Sequence, residues 1–256
     1  MSKNYLTSFN TLAEYQAATN LDLPNVSLIK ADASIKYKNI FAGAVLGDIL
    51  MWDSTNQKLV STVGAEWSTE LYPLAQYEPI AINVYPANQT SDGKARFMAL
   101  KWASNTSDTG STNIVPLAWG NNGDNLTSKD QTLFNGRENT DKALALANGT
   151  TANTQAAFAA FAAVNRFRTN GTSAGDWYLP SYKELSLYQQ NYADINAKIT
   201  AIKNASSSIV YTVSATQWCS TEASNFNSAC TLGGGSWSNS FRSTTNIGGV
   251  RGMLSL

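Results

Sequence analysis

Two cysteines, Cys219 and Cys230, are the only thiols in this 256-residue sequence, and no histidine accompanies them. That absence removes whole classes of chemistry. Ser-His-Asp and Cys-His nucleophile systems need an imidazole base, and many zinc sites need an imidazole ligand. Neither cysteine has a nearby lysine to hold it as a thiolate, so neither reads as a nucleophile. Their spacing suits adjacent antiparallel strands. A disulfide is one reading there and two buried free thiols the other; folding in a reducing cytoplasm favours the thiols. Asp124 and Asp130 stand in an Asn/Gly-rich loop and are read as turn formers rather than as ligands of a weakly held ion. Gly233-Gly234-Gly235 is a flexible turn, because no Lys-Ser/Thr follows it and no helix begins there, as a phosphate loop requires. No catalytic residue, metal ligand or cofactor is expected.

Recognition chemistry is concentrated instead in Ala223–Asn246. The stretch sets Phe226, Trp237 and Phe241 among Ser224, Asn225, Asn227, Asn239 and Asn246, with one cation, Arg242. Flat aromatic faces beside small amides and hydroxyls are the composition of an adaptable contact surface. They also suit a sugar, whose ring face stacks while its hydroxyls pair with amides. The candidate ligand-binding residues are Asn225, Phe226, Asn227, Trp237, Asn239, Phe241 and Arg242. The competing reading is a well-solvated Ser/Asn-rich β surface.

These residues need a frame. Residues 8–19 carry helical spacing (Leu12, Tyr15, Ala18) behind a Ser8 or Asn10 cap, and Leu23-Pro24-Asn25 ends it. Val26–Tyr37 then alternates as a strand pair or an extended arm. Gly47–Trp52 and Lys58–Ser61 read as a hairpin over the Asp53–Asn56 turn. Ile80–Tyr85 reads as a half-buried strand, Asp92-Gly93 as a hairpin turn and Arg96–Trp102 as the returning strand. A polar stretch over Ser104–Asn113 marks a boundary, and Ile114–Trp119 reads as a short strand. Helices are expected over Glu138–Ala147, over Gln155–Arg168 with Asn170-Gly171 as its stop, and from Ser181 onward. Ser181 and Glu184 make an S-x-x-E capping box there. After a break near Asn191, Ile195, Ile199 and Ile202 recur at helical spacing. Short strands are expected over Val210–Val213, Trp218–Glu222, Ala229–Leu232, Ser236–Arg242 and Val250–Leu254.

Composition narrows the partners. The chain is 43% hydrophobic, only 14% charged and formally neutral. No basic run offers a footprint for nucleic acid, and no apolar run reaches the ~20 residues that span a bilayer. The opening MSKNYLTSFN has no apolar core of a secretory signal, so synthesis and folding are expected in a cytoplasm. The Asn-x-Ser/Thr triplets beginning at Asn88, Asn148 and Asn170 are accordingly composition rather than glycosylation sites.

One block carries a resemblance. Trp177-Tyr178-Leu179-Pro180-Ser181 with Glu184-Leu185 is similar to the W-x-L-P-x-x-x-E-L signature of a C-type-lectin-like group found in Bacteroides genomes and their phages. That group includes sulfatase-modifying-factor-like and variable-protein relatives. Phe134–Thr140, Asp194–Ile199, Trp218-Cys219-Ser220-Thr221-Glu222 and Val250-Arg251 resemble further segments of the same group, in order, over residues 106–256. Phe9-Asn10-Thr11 through Leu23–Ser27, Gly47-Asp48-Ile49 and Arg96–Leu100 resemble the leader and β module of crAss-like and other Bacteroides phage virion proteins.

The resemblance implies an α+β fold in three parts: an N-terminal helical/extended anchoring arm (1–40), a small antiparallel β module (41–105) and a C-type-lectin-like domain (106–256). It implies a non-enzymatic virion surface protein, a head or tail fibre or decoration subunit made in the host cytoplasm. Such a subunit would meet its own copies (a trimer by analogy), other virion proteins through the arm, and a host glycan or surface receptor. A purely architectural subunit and a formylglycine-generating type of enzyme are the rivals. The calcium triplets of long-loop lectins, Glu-Pro-Asn and Trp-Asn-Asp, do not occur, and the enzyme's cysteine arrangement cannot be matched. Trp177 and Leu179 are expected to plug the core, Trp218 to sit on a central strand, and Glu222 to bond loop amides.

Overall fold

The computed structural model describes residues 41, 43–120, 127–147, 158–206, 216–223, 228–241 and 248–256. The expected arm over 1–40 and the strand expected over 210–213 lie outside the described residues. Among the described residues the fold is mixed α+β with two antiparallel sheets. The larger joins β1 (Ile49–Asp53), β2 (Lys58–Ser61), β3 (Tyr77–Tyr85), β4 (Arg96–Ala99) and β8 (Met253–Ser255) in the order β2-β1-β3-β4-β8. The smaller is β5 (Gln217–Glu222), β6 (Ser228–Gly233) and β7 (Ser236–Phe241), in that order. Four helices lie between the sheets in sequence: α1 (Gly136–Ala147), α2 (Ala159–Arg166), α3 (Tyr182–Gln190) and α4 (Tyr192–Ala205).

Strand periodicity explains how the large sheet is buried. Successive side chains point to opposite faces. Leu50, Ala81, Phe97 and Ala99 enter one apolar cluster, with Phe158, Phe161, Val164, Phe167, Trp177 and Trp218. Their alternating neighbours Ile49, Met51, Ile82, Val84 and Met98 enter the other, with Leu185, Tyr188, Ile195, Ile199 and Ile202. Helix α2 covers the first face, and helices α3 and α4 cover the second. Ile80–Tyr85, expected half-buried, is therefore buried along its whole length. Both faces being covered, its side chains are apolar nearly throughout.

Segment 41–105 supplies four of the five strands, and the fifth comes from the chain's end: Phe97 pairs with Leu254 and Met98 with Met253. Both apolar clusters draw on residues before and after 105.

Three local expectations change. Asp92-Gly93 does not close a two-residue hairpin. The β3–β4 connection runs from Pro86 to Ala95 through a short 3-10 turn at Ala87–Gln89, and Asp92 instead accepts from the Lys94 N–H at 3.1 Å. Ile114–Trp119 forms no strand. Pro116 removes a ladder donor, and the neighbouring carbonyls are used elsewhere: Leu117 O accepts from Trp218 Nε1 at 2.9 Å and Ala118 O from Ala160 N at 3.0 Å. Strand β4 stops at Ala99, and Trp102 makes only an isolated bridge to Ser111.

Helices α3 and α4 follow their signals, whereas α2 ends at Arg166 with the Phe167 N–H on Ala163 O and Val164 O, ahead of the expected Asn170-Gly171 stop. Ser181 caps α3 with a complete capping box: Ser181 Oγ accepts from Glu184 N, and Glu184 Oε2 accepts from Ser181 N. Asn191 ends α3 and begins α4, whose Ile195, Ile199 and Ile202 form one buried stripe. No helix among the described residues is long and apolar enough to cross a membrane.

Candidate functional site

The two signature stretches meet. Ser220 N donates to Pro180 O at 2.7 Å, and Tyr182 N donates to Thr221 Oγ1 at 2.9 Å. Tyr178 pairs with Met253 as an antiparallel bridge, which ties the same block to β8. Trp177, Leu179 and Trp218 are buried as expected. Trp177 Nε1 donates to Thr172 Oγ1 at 2.9 Å, and its ring meets Phe167 edge-on at 5.1 Å. Glu222 is also buried, and its Oε1 accepts the Thr127 amide at 2.8 Å. Trp218 lies on β5, which pairs with β6 on one side and bridges to Gly249 on the other, where Trp218 N donates to Gly249 O at 3.2 Å.

A charged knot that local sequence did not announce lies under this block. Glu184 Oε1 accepts from Arg96 Nε at 2.9 Å and from the Tyr178 hydroxyl at 2.8 Å. The Arg96 and Glu184 side chains are 2% and 1% exposed. The guanidinium also donates to Ser255 Oγ, Lys94 O and Asp92 Oδ2, at 2.7, 2.9 and 2.9 Å. Burial alone would pull Arg96 down, but Tyr178, Asp92 and Glu184 outweigh it and hold Arg96 above its ordinary value. Burial, reinforced by the Glu184 charge, pushes the Tyr178 phenol well up, so it stays a neutral donor. Every partner in this knot is internal; its work is positional.

The described recognition candidates lie on β7, where Trp237 packs against the cluster that α3 and α4 cover. Trp237 is half-buried and stacks on Tyr182 of α3, ring centroids 3.8 Å apart and 21° from parallel. Asn239 and Ser238 beside it are exposed. Gln189 Nε2 donates to Gly235 O at 2.8 Å, pinning the β6–β7 turn to α3. Gly235, at φ +78°, sits where a Cβ would press on the Tyr192 ring. Of the expected ligand residues, Trp237 and Asn239 therefore share one strand face, two residues apart. Phe241 closes β7, its backbone paired with Ser228; its side chain, with Asn225, Phe226, Asn227 and Arg242, lies outside the described residues. Sequence reasoning missed Tyr182. The signal was available in its spacing: Tyr182 stands three residues before Leu185 on α3 and packs against the same apolar cluster.

The other titratable candidates are quiet. Asp130 is exposed and accepts from Thr132 N–H and Oγ1–H at 2.8 and 2.6 Å, a self-contained turn; Asp124 lies outside the described residues. Cys219 and Cys230 are free and buried. Burial pushes the Cys219 thiol well up.

Comparison with known proteins adds little. No family model matches the chain, and no curated relative does. Among solved structures the fold is similar to a fimbrial protein from Bacteroides ovatus, with a TM-score of 0.46 and 16% identity over 83% of this chain and 49% of that one. The chain thus spans about half the length of that protein. A likeness of this size carries no argument about activity or assembly.

Proposed function

We propose that this chain is a non-enzymatic surface protein of a phage particle, a head or tail fibre or decoration subunit. Its C-type-lectin-like part would present the β7 face to a host glycan or other surface receptor. The observation that carries the reading is the placement of Trp237 and Asn239. An indole backed by a stacked tyrosine is held rigid at little further entropic cost, and an exposed amide stands two positions along the same strand face. A rigid aromatic beside an adaptable hydrogen-bonding group is what a polyhydroxylated ligand requires. Thiol catalysis fits poorly, since a reactive cysteine needs access, and Cys219 and Cys230 are both buried. Many copies on one particle would turn weak single contacts into useful avidity.

Glycan-array binding of the wild-type chain against Trp237→Ala and Asn239→Ala tests this directly. Binding by the wild type and its loss in both variants is the expected outcome. Equal binding by all three would remove β7 as the ligand face.

One observation favours the architectural reading instead. Among the described residues β7 is the outer strand of its sheet, and it carries no charge and no proline, the devices that usually blunt an edge. A neighbouring subunit could cover it. Absence of any signal on the array, with β7 protected from hydrogen exchange in the assembled particle and not in the isolated chain, would select that reading.

A further inference from the structure

The two cysteines are placed for a reaction that their burial hides. Strands β5 and β6 pair antiparallel with Gln217 opposite Leu232 and Trp218 opposite Thr231; the ladder then breaks and resumes at Glu222 opposite Ala229. Continuing the first register by one step sets Cys219 against Cys230. Both side chains enter the same apolar cluster, so both point to the same face of the sheet. Directly opposed residues of an antiparallel pair have Cα atoms about 4.5–5.5 Å apart. That falls inside the roughly 4.4–6.8 Å that a disulfide spans. The Cys219 thiol is also the leading influence that draws Cys230 below its ordinary value. Only weak further partners hold the sulfurs, at 3.8 Å from Cys219 to Thr221 O, 3.9 Å from Cys230 to Glu222 O and 3.8 Å from Gln131 Nε2 to Cys230.

We propose that Cys219 and Cys230 are a latent disulfide that closes when the chain meets an oxidising environment, tying β5 to β6. The inference stands independently of the ligand-binding reading. With a small disulfide as oxidant, the Cys230 thiolate attacks one oxidant sulfur and expels the other as a thiolate. The Cys219 thiolate then attacks Cys230 Sγ and expels the second. One S–S bond breaks and one forms, two S–H protons pass to the two departing thiolates, and the protein loses two hydrogens. The new bond closes a loop of about a dozen residues and so constrains the unfolded chain. By sequence, that loop is the one that contains Asn225, Phe226 and Asn227.

The full chain, refolded from denaturant in oxidised glutathione or in a reducing dithiol, tests the proposal without requiring access to a buried site. Denaturing alkylation, peptide mapping and thermal melting are read on each sample. The expected result is a single Cys219–Cys230 cross-linked peptide, no alkylation of the oxidised chain, and a Tm about 5–10 °C above that of the reduced chain. The Cys219→Ala and Cys230→Ala variants, each compared oxidised against reduced, should show no such shift whatever their own stability. Two alkylatable thiols after oxidative refolding, stable glutathione adducts, cross-links between chains, or an oxidised form that melts at or below the reduced one would each overturn it.

Discussion

The block around Trp177–Glu184 and the outer strand β7 are neighbours, joined by the Tyr182–Trp237 stack, yet they are built on opposite terms. In the first, aromatic rings, a capping box and a buried ion pair are enclosed and partnered within the chain. In the second, Ser238 and Asn239 are exposed on a strand that, among the described residues, is bonded on one side. The residues that make the sequence recognisable are those whose geometry tolerates least change. Of the residues suited to meeting a ligand, Trp237 is steadied by its stack on Tyr182 and Asn239 is left exposed. A motif rich in Trp, Tyr and Glu thus marks scaffold here, and plain Ser/Asn text marks the candidate contact surface.

The sharpest way to break that contrast is at Glu184. Replacing it by Ala strips Arg96 of its buried partner, frees the Tyr178 hydroxyl and deletes half of the capping box. A loss of about 3–5 kcal/mol is expected in denaturant unfolding, the usual result of breaking a buried pair from one side. A loss below about 1 kcal/mol would show the knot to be dispensable.

Gly136 sharpens the same point with a single methyl. A Cβ there would press on Glu184 Oε2 and stand 2.8 Å from both Leu179 O and Ser181 N. Gly136→Ala should cost about 1–3 kcal/mol, although alanine ordinarily favours a helix. A neutral or stabilising effect would mean the block can give way.

A smaller effect is expected in acid. Burial acts to raise Asp92, but Arg96 outweighs it and holds the carboxyl below its ordinary 3.8. A depressed folded pKa contributes stability that is present above the unfolded value and lost as pH falls through the folded one. The stability gap between wild type and Asp92→Asn should therefore be flat near neutrality and shrink only below about pH 3.8. Asp92 is 44% exposed, so solvent screening keeps the gap small. A gap that changes between pH 5 and 8 would assign the effect elsewhere.

Much of this frame was legible from local text. The Ser181–Glu184 spacing announced the cap, the Ile195/Ile199/Ile202 stripe announced α4, and Glu222 was expected to bond a loop amide. What was not legible depends on long-range pairing. Arg96 and Glu184 are 88 residues apart, and nothing near either predicts the other. The pairing of β8 with β4 joins the chain's end to residue 96, and Ile80–Tyr85 is buried on both faces because helices far along the sequence cover each side. Trp237 and Asn239 were legible as surface chemistry, whereas the stack that steadies Trp237 joins β7 to Tyr182 of α3, a pairing distant in sequence.

The most direct test of the division between scaffold and contact surface is a paired measurement on Ser181→Ala and Asn239→Ala, with melting and glycan-array binding read from the same preparations. Loss of the cap should lower stability by about 1 kcal/mol and leave binding intact below the melting range. Loss of the exposed amide should leave melting unchanged and abolish binding. Binding lost in Ser181→Ala while it remains folded, or retained in Asn239→Ala, would contradict the account.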